Sequence, residues 1–194
     1  MRIIAGAWRG RALIAPPGQA TRPTSDRARE GLFSMLASRL GSFESLHVAD
    51  LFAGTGALGL EALSRGAAHC TFVERDPAAL DVLKHNIGKL AAAGRADVRA
   101  QPAENAAPPR RPCHLVLIDP PYGTGLAEKA VERITAPGWL APGAWVSVEL
   151  SGEEIVLPAP LALEAERRFG KARILLLHHS AEAALSPGSL HCGQ

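Results

Sequence analysis

Asp119-Pro120-Pro121-Tyr122 concentrates more chemistry in four residues than any other stretch of this chain. Its prolines force an extended backbone and donate no hydrogen bond, which leaves the Asp119 and Pro120 carbonyls free to accept. An Asp carboxylate beside a backbone carbonyl makes two acceptors in a rigid frame, a match for an exocyclic amino group on a planar base. Holding both N–H bonds of that amine turns its lone pair out of the ring and toward an electrophile. Tyr122 offers a face on which the base stacks. A plain Asp-Pro-Pro turn would do none of this.

Upstream, Gly54, Gly56 and Gly59 fall on a G-x-G-x-x-G spacing directly after the apolar run Val48 to Ala53. Leu58, Leu60, Ala62 and Leu63 continue as a helix, with Glu61 expected on its polar side. Strand, glycine turn and helix in that order form the place where a nucleoside-bearing cofactor approaches the backbone. Phe52, Ala53, Gly54 and Gly56 make the turn. Glu74 ends a second apolar strand twenty residues after Gly54, where a carboxylate can hold two ribose hydroxyls, and Arg75 follows it. Asp50 bears on which cofactor it is. A dinucleotide would bring its pyrophosphate close to that carboxylate, and like charges in a dry cleft repel. S-adenosylmethionine brings an ammonium and a sulfonium instead, and Asp50 suits the ammonium. The alternative for Asp50 is a cap on the turn backbone.

These residues need a scaffold, and the hydrophobic pattern supplies one. Strands are expected at Val48–Ala53, Cys70–Glu74, around Val98, at Leu115–Ile118 and at Trp145–Leu150. Between them lie helices, one started by Pro77 and carrying Asn86, another with Ala127, Val131 and Ile134 on its apolar face. Leu161–Phe169 and Ala172–His179, joined at Gly170, read as an antiparallel hairpin. Alternation of strand and helix implies an α/β fold with a mostly parallel sheet covered on both faces. Ahead of it, Ala28, Leu32, Met35, Leu36 and Leu40 mark a helix with Thr24 or Ser25 as its cap. Residues 1–20 read as a basic β-hairpin, 21–180 as the main domain and 181–194 as a tail.

With 194 residues the chain has room for a substantial core. Net charge is only +2, but it is unevenly spread. Residues 1–30 hold six arginines against two acids, a balance of +4, which leaves −2 for the rest. Arg2, Arg9, Arg11, Arg22 and Arg27 are therefore candidates to hold phosphates, with a solvated surface as the alternative. Three cysteines in no metal-ligand spacing point to a reducing compartment and to no metal site. No apolar run approaches the ~20 residues of a membrane span, so a cytoplasmic protein is expected.

Asp50-Leu51-Phe52-Ala53-Gly54-Thr55-Gly56 together with Asp119-Pro120-Pro121-Tyr122 resembles the S-adenosylmethionine-dependent amino-methyltransferases of nucleic-acid bases. Arg2-Ile3-Ile4-Ala5-Gly6, Trp8-Arg9-Gly10-Arg11, Arg22-Pro23-Thr24, Asp26-Arg27, Arg29-Glu30 and the run Gly56 to Gly66 narrow the resemblance to the RsmD family. That resemblance implies a Rossmann-like methyltransferase acting on the 2-amino group of one guanine in small-subunit ribosomal RNA. The substrate would be the RNA or the assembled subunit, and the enzyme a monomer. Pro102 departs from the small polar or acidic residue that many relatives carry, so the Ala103 backbone is left to meet the cofactor's adenine. An amine of adenine or cytosine also fits the four-residue corner. A nicotinamide-dependent oxidoreductase explains the glycines and Glu74 but leaves Asp50 and the corner idle. A non-enzymatic RNA-binding module explains only the arginines.

Overall fold

A computed structural model describes residues 1–15 and 23–180. Arg22, expected to bind phosphate, and the expected tail at 181–194 lie outside the described residues. Seven strands form one sheet in the order β3-β2-β1-β4-β5-β7-β6. They are β1 (His47–Leu51), β2 (His69–Glu74), β3 (Ala96–Ala100), β4 (Cys113–Ile118), β5 (Leu140–Leu150), β6 (Leu161–Phe169) and β7 (Ala172–His179). The first five run parallel and β7 is antiparallel to both β5 and β6. Helices α1 (Pro23–Leu40), α2 (Ala57–Ser64), α3 (Pro77–Lys89) and α4 (Leu126–Ile134) connect or flank them.

Period-2 alternation divides the strands between two cores. Val48, Leu115 and Leu117 join α1, α2 and α3 on one face. Ala49, Leu51, Val116 and Ile118 join α4 on the other. Central strands buried on both faces read as unbroken apolar runs, which is why β1, β2 and β4 were legible. The chain order reverses between β1 and β4, and at such a reversal the carboxyl ends of the strands open into a crevice.

Three expectations are corrected. Helix α1 begins at Pro23, so Thr24 and Ser25 fall within its first turn rather than capping it; proline at the first helical position forfeits no hydrogen bond. Strand β5 extends back to Leu140, taking in Pro142 and Gly143 where its pairing with β4 shifts register between Cys113 and Leu115. An irregularity of that kind is where a strand tolerates both residues. Among the described residues the amino-terminal hairpin pairs through one antiparallel bridge, Arg2 with Ala12, rather than two full strands, with the Ile3 and Leu13 N–H groups donating across it to the Arg11 and Met1 carbonyls. Its backbone is also tied down by side chains from α2 and α3.

Those ties explain the length of the motif from Gly56 to Gly66. Glu61 is fully buried, not on a polar face as expected. Its carboxylate accepts the Ile4 and Ala5 N–H groups at 2.7 and 3.0 Å and pairs with Arg65 Nε at 2.8 Å. The Ser64 hydroxyl accepts from Trp8 N–H and donates to the Ala5 carbonyl. Asn86 holds Ile14 through both its N–H and its carbonyl. Gly6 has φ +83° and lies so close to α2 that a Cβ there would stand 1.9 Å from the Ser64 carbonyl oxygen. Ile3 and Leu13 are thereby buried in the same core as α1 and α2.

Candidate active site

The glycine turn divides its labour. Gly56 has φ +81° and starts α2 in the left-handed region, the conformation glycine adopts at least cost. Gly59 lets the helix approach β2, because a Cβ there would strike Phe72 and Cys70. Gly54 faces the crevice and donates its N–H to Glu74 Oε2 at 2.8 Å. The other Glu74 oxygen accepts from Arg75 and Asp76 N–H at 2.7 and 2.8 Å. Phe52 carries φ +64°, a conformation that costs a large side chain energy and tends to persist at ligand sites.

Two cavities open at the carboxyl ends of the strands. One, of about 660 Å³, is walled by Phe52, Gly54, Glu74, Arg75, Ala103 and the Asp119–Tyr122 corner. The other, of about 690 Å³, is walled by Met1, Arg29, Leu58, Phe169 and Lys171. Asp119, Tyr122 and Glu149 belong to both walls. A third cavity, near His47, His69, Arg110 and Arg111, lies at the amino ends of the strands, away from every motif above. Among the described residues, no cluster of His, Cys, Asp or Glu is placed to hold a metal ion, and no helix is long and apolar enough to cross a membrane.

The first cavity thus gathers Phe52, Gly54, Glu74, Arg75, Ala103, Asp119, Pro120, Pro121 and Tyr122. Asp50, Ala53 and Gly56 are not on its wall. Asp50 is 1% exposed, and its Oδ2 accepts the Gly59 N–H at 2.8 Å, so it pins α2 to the end of β1. Burial drives its carboxyl well above the usual range, an environment for a backbone clamp rather than for an exposed ion-pair partner. Ala53 is likewise buried, its N–H donated to the Val73 carbonyl.

Asp119 is the perturbed carboxyl that both cavities share. Its carboxyl is pushed up to about 7, first by the protein packed around it and then by the nearby Glu149 carboxylate. Solvent still reaches it through the cavities on either side, which tempers that push until ligands fill them. Tyr122 is 49% exposed, its ring accessible and its hydroxyl donating to Glu149 Oε1 at 2.5 Å. Burial and the Glu149 carboxylate together raise the phenol's pKa, so it remains a donor.

The carboxylate of Glu74 fits a nucleoside cofactor. Backbone N–H groups fill three of its roughly four acceptor positions and hold it rigid on the cavity wall, with capacity left for a ribose hydroxyl. Around it stand the strained Phe52 and the Ala103 turn, which Pro102 introduces with β-region φ and ψ.

Of the predicted phosphate-binding arginines, Arg2, Arg9, Arg11 and Arg27 are exposed, and none has an ion pair among the described residues. Sequence reasoning gave Arg29 and Glu149 no role in a site and put Glu61 on the polar side of its helix. Arg29 is buried on the second cavity's wall, its Nη2 donating to the Arg2 carbonyl and to Asp26, its Nε without a partner among the described residues. Its register with Leu32 and Leu36 on α1 was the available signal. For Glu149 the signal was an acid at the end of an apolar strand, the pattern that had singled out Glu74.

Strand order, glycine turn and a carboxylate at the end of β2 define a Rossmann-like fold built for a nucleoside-bearing cofactor, and its relatives make the class an S-adenosylmethionine-dependent methyltransferase. Residues 1–178 match the family model described as "Conserved hypothetical protein 95". The chain is 39% identical over 184 residues to the ribosomal RNA small subunit methyltransferase D of Escherichia coli K12, covering 94% of this chain and 91% of that protein. A solved structure described as a putative methyltransferase from Escherichia coli superposes with TM-score 0.82 at 40% identity, over 94% of this chain and 99% of that one. A putative methylase from Haemophilus influenzae gives 0.76 at 33% identity, over 92% and 98%. The chain belongs to this family, the RsmD family.

Proposed function

We propose that this protein transfers a methyl group from S-adenosylmethionine to the exocyclic 2-amino group of a guanine in small-subunit ribosomal RNA. The observation that carries the reading is the Asp119–Tyr122 corner standing in the wall between two cavities. The first cavity is assigned to the cofactor and the second, flanked by Arg29 and Lys171, to the nucleotide. The ribosomal substrate is supported by what its relatives are named for, among them the Escherichia coli enzyme and a putative rRNA methyltransferase from Bacillus subtilis.

Bound S-adenosylmethionine supplies an electrophilic methyl whose transfer to the amine leaves an electron pair on sulfur and releases one proton. Glu74 holds the ribose, and the turn at Phe52–Gly54 sets the depth of the cofactor. Asp119 and the Pro120 carbonyl accept the two amine N–H bonds, aiming the nitrogen lone pair across the shared wall. A carboxyl near 7 is matched to receive the released proton at neutral pH. Tyr122 stacks on a base drawn out of its helix, since a paired guanine cannot reach the site. Exposed arginines of the amino-terminal arm hold phosphates and so position the RNA without reading its sequence. The protein works as a monomer in the cytoplasm.

The test is labelled methyl transfer to small subunits lacking the modification, and to their naked RNA, followed by nucleoside analysis. N2-methylguanosine is the expected product. Methyladenosine or methylcytidine would move the assignment to another base, and no transfer to either substrate would remove it.

A further inference from the structure

Ile118 of β4 pairs with Val148 of β5, so Asp119 and Glu149 follow side by side on neighbouring parallel strands. Strands in a sheet lie about 4.8 Å apart, close enough for the two carboxylates to meet adjacent donors on one base edge. Both residues line both cavities. One Glu149 oxygen is occupied and oriented by the Tyr122 hydroxyl, while Oε2 has no hydrogen bond among the described residues. Glu149 therefore presents a held acceptor beside the one that meets the target amine.

We propose that Glu149 is the residue that selects guanine, its carboxylate accepting the N1–H while Asp119 accepts from the adjacent 2-amino group. The proposal rests on the guanine reading given above. Guanine places two donors, N1–H and the 2-amino group, next to each other. Adenine and cytosine place a ring nitrogen with an exposed lone pair next to their amino groups. A pair of carboxylates welcomes the first pattern and repels the second, because a lone pair facing an unprotonated Glu149 has no proton to share. Desolvation in the filled cavity strengthens that contrast. Asp119 alone offers no such discrimination, since all three bases carry the amine it would hold.

The test uses ribosomal RNA with either guanosine or 2-aminopurine riboside at the methylated position, assembled into subunits if naked RNA is not accepted. 2-Aminopurine keeps the 2-amino group but carries a lone pair at N1. Wild-type protein should prefer guanosine in kcat/KM by about 10- to 100-fold, the discrimination usual for a matched pair of base-edge hydrogen bonds. Glu149→Gln keeps an acceptor for the Tyr122 hydroxyl and adds an N–H donor, so the preference should narrow at least about tenfold. Cofactor affinity by calorimetry, unchanged in the variant, shows that the fold is retained. An unchanged preference in Glu149→Gln, whatever its absolute rate, would make Glu149 a holder of Tyr122 and overturn the proposal. So would a wild-type protein indifferent to 2-aminopurine. If wild-type protein forms no N2-methylguanosine on natural RNA, the guanine reading itself fails, a result visible before any variant is made.

Discussion

The two cavities that meet at Asp119 are built in opposite ways. The cofactor cavity is made largely from turns that directly follow β1, β2 and β4, and its key carboxylate, Glu74, is clamped by backbone N–H groups of its own turn and of the glycine turn on the neighbouring strand. The second cavity takes its wall from Met1, Arg29 on α1, Leu58 on α2 and the β6–β7 turn at Gly170 and Lys171. No short segment contains it. The amino-terminal arm is held at that wall by Glu61, Ser64, Asn86 and Arg29, whose side chains bind its backbone, and by the burial of Ile3 and Leu13. A rigid local site thus adjoins one held together by long-range ties, and the two should fail differently.

The largest expected effect is on the long-range ties. Glu61→Ala leaves Arg65 and two arm N–H groups without their buried partner, and should cost about 3–5 kcal/mol of stability, the usual cost of breaking a buried ion pair. Urea unfolding of the variant measures it; a loss under about 1 kcal/mol would show that the arm is not anchored through this residue.

Next is the shared wall. Asp119→Ala should leave cofactor binding near wild type and lower kcat about 100- to 1000-fold, by analogy with removal of one oriented oxyanion donor. Single-turnover transfer at saturating cofactor reads this directly, and a wild-type rate would reduce the corner to a turn. The wild-type profile should carry the same residue's signature. Asp119 is raised to about 7, so below that pH it is protonated, loses the charge that strengthens its hold on the amine and has no place for the released proton. Transfer should therefore rise with pH through about 7, and Asp119→Asn should flatten that limb.

For the local site, Glu74→Ala should weaken S-adenosylmethionine binding by about 1–3 kcal/mol while RNA affinity holds. Calorimetry showing unchanged cofactor affinity would leave Glu74 as no more than the clamp on Gly54. The smallest effect belongs to the arm's surface. Replacing Arg9 and Arg11 with Ala should reduce the log–log salt slope of RNA binding by about 1–2 and leave cofactor affinity alone. An unchanged slope would return both arginines to the solvated surface.

Sequence alone determined the elements whose signals are local. The β6–β7 hairpin appears at the expected residues, Leu161–Phe169 and Ala172–His179, because Gly170 marks a turn between two strand patterns. Strands β1, β2 and β4 were legible because double-sided burial writes a continuous apolar run. The glycine turn, Glu74 and the Asp119–Tyr122 corner were legible because each is a short motif at a strand end. Tertiary structure alone decided what a polar residue among apolar neighbours does. Glu61, flanked by Leu60 and Ala62, looked like the wet side of a helix until the arm's unpaired N–H groups were seen to need a buried acceptor. Asp50 read as facing a ligand, and only the fold showed that one of its carboxylate oxygens is taken by the Gly59 N–H. Arg29 and Glu149 came to one cavity wall from positions 120 residues apart. Proximity of that kind is set by strand order and helix packing, and neither leaves a local pattern in the chain.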